Sequence, residues 1–425
     1  MQNLAQSWLI VLLVDPVSAG MLRHGGTAVG AGIHAASKQV EANANLYSGW
    51  VNFAGGAPIF VLTLFAGVLA DKVSKRNLLL VTQSILVFTA TALGLLCITG
   101  RVQIWHVIFF AALSGCVVSF DLVARQSFVV ELVGKDDLAS AISLNSSIFN
   151  GARAIGPGLA GLLLAAQLSI GVAFLANAGL TLFAVAALLL LRLPAAAKKV
   201  EAESAKSRES LWSNIREGFR YVRTSTTIMN LLIVVGTFGL FALSFNVLVP
   251  AFIKFTLLPN SDDAYQVKAF GVMETVRGVG ALIGALTVAF LGSLERQKSM
   301  LIAGSVVSVV LLILFSWTRN LYVAYVIMSG TAFGFVVCFA TCNTLIQSAV
   351  PNELRGRIMS IYSLMFIGTA PFGGIASGML ARMIGAPHTV FCLGLVSLII
   401  LGFVVLRRGG IRDLSIGPIP YMQKG

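Results

Sequence analysis

The sequence predicts an all-α membrane protein with about twelve membrane-spanning helices. Hydrophobic residues make up 57% of its 425 residues and charged residues only 11%, with a mean hydropathy of +0.89. Soluble globular domains carry about 25% charged residues, so a soluble enzyme, a disordered chain and a nucleic-acid-binding domain are excluded. The net charge of +13 does not indicate a nucleic-acid partner, because the basic residues are scattered between long apolar runs.

Apolar stretches long enough to cross a bilayer recur along nearly the whole chain. A helix needs about 20 such residues. Met1 to Val14 is apolar but too short, and no basic residue precedes it, so we expect the chain to begin inside a truncated first helix. The other predicted spans are 48–70, 77–99, 104–126, 140–165, 168–193, 229–255, 266–292, 299–317, 321–346, 358–383 and 388–407.

Residues 17–47 lie between the first two predicted helices and are rich in Gly and Ala. Structureless segments of this length are uncommon, and they are often functional or disordered. We expect a long outer loop here, disordered or forming a loose outer helix, in preference to a lid.

The distribution of Lys and Arg predicts the orientation. Basic residues concentrate on the connections that share a side with loop 71–76, and such an excess marks the cytoplasmic face. We therefore expect a multi-pass protein of the bacterial inner membrane with both termini in the cytoplasm. The predicted parts are a six-helix half over 1–193, a linker over 194–227, a second six-helix half over 228–407 and a cytoplasmic tail over 408–425.

The linker 194–227 carries apolar residues at helical spacing, with arginines on other faces. This pattern predicts an amphipathic helix on the inner membrane surface, although a solvated linker helix remains open. The apolar positions are Leu211, Trp212, Ile215, Phe219 and Val222.

The two halves show weak internal sequence similarity. Gly67-Val-Leu-Ala-Asp71 ends one span, and Gly292-Ser-Leu-Glu295 ends a span at the corresponding place in the second half. Parallel six-helix halves are typical of transporters whose substrate site lies between the repeats.

No catalytic constellation, phosphate loop or metal-ligand spacing is present in the sequence. We expect no enzyme activity, no cofactor and no metal, and the five cysteines are interpreted as small core residues. The expected partners are a small-molecule substrate, protons and the lipid bilayer, but not nucleic acid, and we expect a monomer.

Two sets of motifs resemble a known transporter family. Loop 67–76, Gly-Val-Leu-Ala-Asp-Lys-Val-Ser-Lys-Arg, resembles the signature between helices 2 and 3 of the major facilitator superfamily, with Ser74 at a usual glycine. Segments 124–133, 144–146 and 150–157 resemble its branch of enterobactin-exporter-like and multidrug exporters. The resemblance covers about residues 48–407. It implies the major facilitator fold with twelve transmembrane helices in two six-helix halves.

The resemblance further implies a conformational latch on the cytoplasmic side. Asp71 is placed to meet the start of the eleventh span, and Asp121 and Arg125, four residues apart, are able to pair on one helix face. A plain topogenic loop is the alternative. The predicted latch residues are Gly67, Asp71, Lys72, Lys75, Arg76, Asp121, Arg125, Arg355 and Arg357.

Three charged residues lie well inside predicted spans, away from the span ends, where a charge faces a cavity or a partner by default. These are Arg153 on the fifth span and Glu274 and Arg277 on the eighth. In the superfamily's fold these two helices pack together, so we hypothesise one buried network. Within it Glu274 is a candidate for proton coupling, and a static salt bridge is the alternative.

The fifth span also carries a partial motif that resembles the antiporter motif of drug exporters. Its glycines allow close helix packing, and its proline frees a backbone carbonyl. The residues are Gly151, Gly156, Pro157, Gly158 and Gly161.

Polar and aromatic residues on several spans predict a largely apolar substrate cavity, which suits lipophilic or amphipathic molecules. For any single Phe, packing or lipid contact is the alternative. The candidates are Asn145, Phe241, Phe245, Asn246, Phe335, Phe339, Asn343 and Phe366.

The leading hypothesis is a secondary active exporter that works by alternating access with proton antiport. Two alternatives remain open: uptake or facilitated diffusion of a metabolite, and a transport-inactive sensor or scaffold.

Overall fold

The computed structural model describes residues 2–14, 34–70, 73–133, 170–191, 219–291 and 294–407, and the regular structure in these ranges is entirely helical. Within them, nine helices are long and apolar enough to cross a membrane. The all-α membrane prediction is therefore confirmed. The helices are α1 (Gln2–Val14), α2 (His34–Ala70), α3 (Lys75–Ile98), α4 (Ile104–Val133), α5 (Ile170–Leu190), α6 (Thr226–Thr237), α7 (Val249–Phe252), α8 (Asp263–Leu291), α9 (Leu294–Trp317), α10 (Leu321–Ala349), α11 (Asn352–Ser363), α12 (Ala370–Ile384) and α13 (Ala386–Leu406).

Helix α2 begins at His34, well before the span predicted from residue 48. Residues 34–47 of the segment expected to be disordered or to form a loose outer helix are therefore helical and continuous with the rest of α2. Hydropathy missed residues 34–47 because they include polar and charged side chains such as Lys38, Glu41 and Asn45, although Asn45 is buried in the structure. Residues 15–33 lie outside the described ranges.

Two spans are interrupted by non-α turns. A π-turn (Phe238–Ala242) and a 3-10 turn (Ser244–Leu248) follow α6, and a further π-turn (Ile253–Leu257) follows α7. Pro250, which lacks the N–H needed to continue a helix, lies in the first turn of α7. A π-turn also joins α11 to α12 over Leu364–Gly368. Such turns often occur at functional sites in membrane and soluble helices.

Small residues bring helices into close contact, as the glycine content predicts. A Cβ atom built on Gly115 of α4 would lie 2.1 Å from the carbonyl oxygen of Gly55 on α2. Only a residue without a side chain allows the two backbones to approach this closely.

The chain divides into two compact units. The first comprises Met1–Arg208, Val247–Thr275 and Gly374–Met383, and the second comprises Glu209–Asn246, Val276–Gly373 and Ile384–Gly425. The division into six-helix halves over 1–193 and 228–407 stays a prediction. The first unit takes in later segments because Val11 and Ala44 form a buried apolar cluster with Ala251.

Of the predicted linker 194–227, the structure describes 219–224, which are helical, and the start of α6. Phe219 is exposed and Val222 is buried, so this turn has one buried face. Leu211, Trp212 and Ile215 lie outside the described residues.

Candidate functional site

A buried-charge cluster lies within the second unit. Arg277, half-buried on α8, donates a hydrogen bond from its guanidinium to the side-chain oxygen of Asn246. The same guanidinium lies 5.8 Å from the centroid of the Phe245 ring, a cation–π distance. The 3-10 turn after α6 positions both Phe245 and Asn246. The guanidinium charge is thus compensated by an amide dipole and an aromatic face.

Phe245 belongs to a continuous row of aromatic rings in the same unit. Its ring centroid lies 6.5 Å from that of Phe335, Phe335 lies 6.4 Å from Phe339, and Phe339 lies 4.3 Å from Phe366. The structure therefore brings together four of the predicted cavity phenylalanines. Sequence reasoning missed three further members, because their spacing gives no signal before the helices pack: Phe238, Phe315 and Tyr362.

Two other predicted cavity residues lie apart from this row. Phe241 contributes to a separate apolar groove of about 260 Å³, which is also lined by Phe219, Leu232 and Met365. Asn343 accepts a hydrogen bond from Gln347 one turn further along α10. The predicted cavity set is thus divided between several environments.

Glu274 lies one turn before Arg277 on α8, and its side chain is only 3% exposed. A buried carboxylate in the middle of an apolar helix is the placement expected of a functional group. Its hypothesised partner Arg153 lies outside the described residues, as do Asn145 and the antiporter-like motif: Gly151, Gly156, Pro157, Gly158 and Gly161.

Asp121 of the predicted latch is buried on α4 and accepts three hydrogen bonds. The donors are the Thr82 hydroxyl at 3.0 Å, the Gln83 amide at 2.7 Å and the Arg125 guanidinium at 3.0 Å. The ion pair predicted between Asp121 and Arg125 is therefore present. Its Arg125 side chain is 53% exposed, so the buried polar donors from α3 hold the carboxylate more firmly than the exposed cation does.

Arg76, at the start of α3, contacts the end of another helix. Its Nε donates to the Leu188 carbonyl at 3.0 Å and its Nη2 to the Leu189 carbonyl at 2.8 Å. These carbonyls belong to the last turn of α5, whose oxygens lack partners within the helix. Arg76 therefore caps α5, which the sequence did not indicate.

The other predicted latch residues are placed unevenly. Lys75 is 4% exposed at the first turn of α3. Gly67 lies in the last turns of α2, and Arg357 is half-buried on α11. Arg355 lies on α11, but its side chain is not among those described. Asp71 and Lys72 lie outside the described residues.

The sequence analysis also missed a second ion pair. Lys254 donates to Asp263 at 2.9 Å, and the Lys254 side chain is only 6% exposed. Lys254 lies at the end of a predicted span, where a basic residue is ordinarily read as a topology signal. This pair instead joins the π-turn after α7 to the first turn of α8.

Metal-ligating side chains do not cluster in the ranges that the structure describes: no group of three or more His, Cys, Asp or Glu side chains occurs there. The five cysteines are free, and Cys338 accepts a hydrogen bond from Ser305 at 3.1 Å. What the described site offers is a cation, amides and aromatic faces, which suit binding better than bond making.

The fold matches that of a solved nucleoside transporter. The structure of NupG superposes with a TM-score of 0.66 at 13% sequence identity, covering 97% of this chain and 98% of that one. At this identity the match establishes the fold alone.

Curated relatives align over most of the chain. The multidrug efflux pump Tap of Mycolicibacterium fortuitum is 24% identical, over 99% of this chain and 100% of its own length. The staphyloferrin A transporter of Staphylococcus aureus is 26% identical, over 84% and 86%. The enterobactin exporter EntS of Shigella boydii is 25% identical, over 95% and 96%. The protein is thus a multi-pass membrane transporter related to drug and siderophore exporters, and not an enzyme.

A family model settles the assignment. The model described as transmembrane secretion effector, a group within the major facilitator superfamily, matches residues 30–414. This range contains every described element from α2 to α13. The chain belongs to the transmembrane secretion effector family of major facilitator superfamily transporters.

Proposed function

We propose that this chain exports a lipophilic or amphipathic small molecule, of the drug or siderophore type, by alternating access driven by proton antiport. In this proposal the chain acts as a monomer in the bacterial inner membrane with both termini in the cytoplasm. Relatives that export drugs and siderophores support the substrate class and the direction.

The observation that carries the proposal is the environment of Arg277. A guanidinium in an apolar span is costly, and such residues mark substrate or ion pathways. Here the guanidinium of Arg277 is satisfied by a hydrogen bond to Asn246 and by the face of Phe245, whose ring belongs to the aromatic row. Aromatic faces with a few polar groups suit a lipophilic or amphipathic molecule.

Proton coupling is assigned in this proposal to Glu274. It is a carboxylate buried within α8, and it shares a helix face with Arg277 three residues later. Protonation of Glu274 would remove one charge from this face. A change in local charge of this kind is able to bias one of two transporter states over the other.

The latch is proposed to act on the cytoplasmic side. Asp71 would meet the start of α11, where its candidate partners Arg355 and Arg357 lie. Asp121 supports this role, because its buried hydrogen bonds fix α4 to α3 beside the loop.

The test is dye efflux in everted membrane vesicles under an imposed pH gradient, using ethidium as the lipophilic probe. The wild-type chain is compared with Glu274→Gln and with Asp262→Asn, a matched loss of one acid at an exposed position. We expect gradient-driven efflux in the wild type and in the control, and its loss in Glu274→Gln.

Other results would contradict parts of the proposal. Equal movement with and without the gradient would favour facilitated diffusion and remove the coupling role of Glu274. Movement in the opposite direction would indicate uptake. Ethidium binding without transport in any vesicle would favour the inactive sensor or scaffold.

A further inference from the structure

We infer that α1 and α2 carry a hydrogen-bonding subsite for an oxygen acceptor group of the transported molecule, lined by Gln6, Trp8, Asn45 and Ser48. The inference rests on the proposed function, because it assigns part of the chain's small-molecule site. It lies wholly within the first unit.

The four side chains are buried without being satisfied. Trp8 and Asn45 are 0% exposed, and Gln6 and Ser48 are 4% exposed. Their polar atoms (Gln6 Nε2, Trp8 Nε1, Asn45 Nδ2 and Oδ1, Ser48 Oγ) have no hydrogen-bond partner among the described residues. More than nine in ten buried polar groups in proteins are paired. Five unpaired atoms on two helices are therefore available to bind a polar group of a ligand.

Packing places these residues at one helix–helix junction. Val11 of α1 and Ala44 of α2 belong to the same buried cluster. Trp8 lies one turn before Val11, and Ser48 lies one turn after Ala44. Residues three or four apart share a helix face, so Trp8 lies on the face of Val11 and Ser48 on the face of Ala44. Gln6 and Asn45 are buried on the same two helices.

An aromatic wall borders the junction. The Trp8 ring stacks on Phe270, with centroids 5.2 Å apart and planes inclined by 21°. Stacking fixes the indole by its apolar face and leaves its N–H as an unused donor. An apolar wall with a few polar groups is the usual composition of a ligand site.

The chemistry of the unpaired atoms selects the ligand group. Three N–H groups and one hydroxyl are available as donors, against the single amide oxygen of Asn45. None of the four side chains is charged. The cluster therefore fits carbonyl, carboxylate or phenolate oxygens, whereas a cation without acceptor atoms gains nothing from it. Water alone is the competing occupant.

The experiment measures binding by thermal unfolding of the purified full-length chain in nanodiscs. Two probes are used: enterobactin, which is rich in carbonyl and phenol oxygens, and tetraphenylphosphonium, which has no hydrogen-bonding group. The variants are Trp8→Phe, which keeps the ring stack but removes the N–H, and Asn45→Leu. The control is Gln39→Leu, an equivalent loss on an exposed turn of α2.

We expect Trp8→Phe and Asn45→Leu each to weaken enterobactin binding about tenfold, since each leaves an acceptor unpaired. Tetraphenylphosphonium binding should not change, and Gln39→Leu should behave as wild type. Without ligand, Asn45→Leu should unfold at the same or a higher temperature, because an unsatisfied amide is removed. That result separates a lost ligand contact from a misfolded protein.

Wild-type affinity for enterobactin in both variants would overturn the inference and leave only water at the junction. Wild-type protein that binds tetraphenylphosphonium but not enterobactin, or neither probe, would also overturn it. The proposed function is judged separately by ethidium efflux. Ethidium efflux by a protein that does not bind enterobactin would support the proposed function and reject the subsite. Enterobactin binding that is weakened in the variants, in a protein without ethidium efflux, would support the subsite and reject the proposed function.

Discussion

Arg277 and Asn246 are joined by a hydrogen bond between side chains that lie 31 positions apart in the chain. The bond connects α8 to the 3-10 turn that follows α6, at a point where the α-helical pattern is broken. The broken turn thus presents an amide and an aromatic ring to a charged side chain.

Substitution Arg277→Lys tests this arrangement. Lysine keeps the charge but loses the planar guanidinium that is able to stack and donate at the same time. We expect transport of the ethidium probe to fall about tenfold, which corresponds to about 1.4 kcal/mol, with little change in expression. Arg407→Lys is the matched control, because the Arg407 guanidinium also lies 5.8 Å from a ring, that of Phe403, but is exposed. Equal effects of the two substitutions would show that stacking itself, and not this site, matters.

Substitution Asp121→Asn should destabilise the protein. The new amide places a donor against at least one of the three donors that now meet the carboxylate. We expect a loss of about 2 kcal/mol in the free energy of unfolding, the usual scale for a buried group left unsatisfied. Thermal unfolding in detergent measures it.

Substitution of Arg125, the ion-pair partner of Asp121, should cost less stability. Arg125→Gln removes the 53% exposed side of the ion pair, and exposed pairs contribute about 1 kcal/mol or less. A larger loss from Arg125→Gln than from Asp121→Asn would show that the ion pair, and not the contacts from α3, holds the carboxylate.

Substitution Arg76→Gln should loosen the end of α5. The side chain satisfies the carbonyls of Leu188 and Leu189, and removing it leaves the last turn uncapped. Hydrogen–deuterium exchange at residues 187–191 should become faster, while exchange in the middle of α5 stays slow. Unchanged exchange at 187–191 would remove the capping role and leave Arg76 to the latch.

Substitution Gly280→Ala should disturb the contact between α8 and α10. A Cβ at this position would lie 2.1 Å from the Ser329 carbonyl oxygen, a backbone atom that is not free to move aside. Overpacking of this kind costs about 1–3 kcal/mol. Gly179→Ala is the control, since a Cβ there has nothing within 4 Å. The melting temperatures of the two variants should differ clearly, and a stable Gly280→Ala protein would mean that the helices separate at little cost.

The aromatic row shows which contacts the sequence could predict and which it could not. The location of phenylalanines on predicted spans is enough to predict four members of the row, which are Phe245, Phe335, Phe339 and Phe366. The structure adds Phe238, whose ring contacts that of Phe335. Phe241 is also a phenylalanine and lies on the same predicted span as Phe245, yet it lines a different groove. Which face of a helix meets its neighbour depends on packing, and the π-turn at Phe238–Ala242 shifts that face locally.

The sequence by itself determined the membrane class and the nine spans that match described helices, because about 20 consecutive apolar residues satisfy a bilayer regardless of what surrounds them. It also determined the Asp121–Arg125 pair, because residues four apart on one helix meet by helix geometry alone. Only the tertiary structure decided that Arg76 caps a helix 112 positions away, that Arg277 meets Asn246, and that polar residues 34–47 begin α2. These contacts depend on how separate helices pack. Contacts between residues so far apart in the chain leave no regular spacing in the sequence that would predict them.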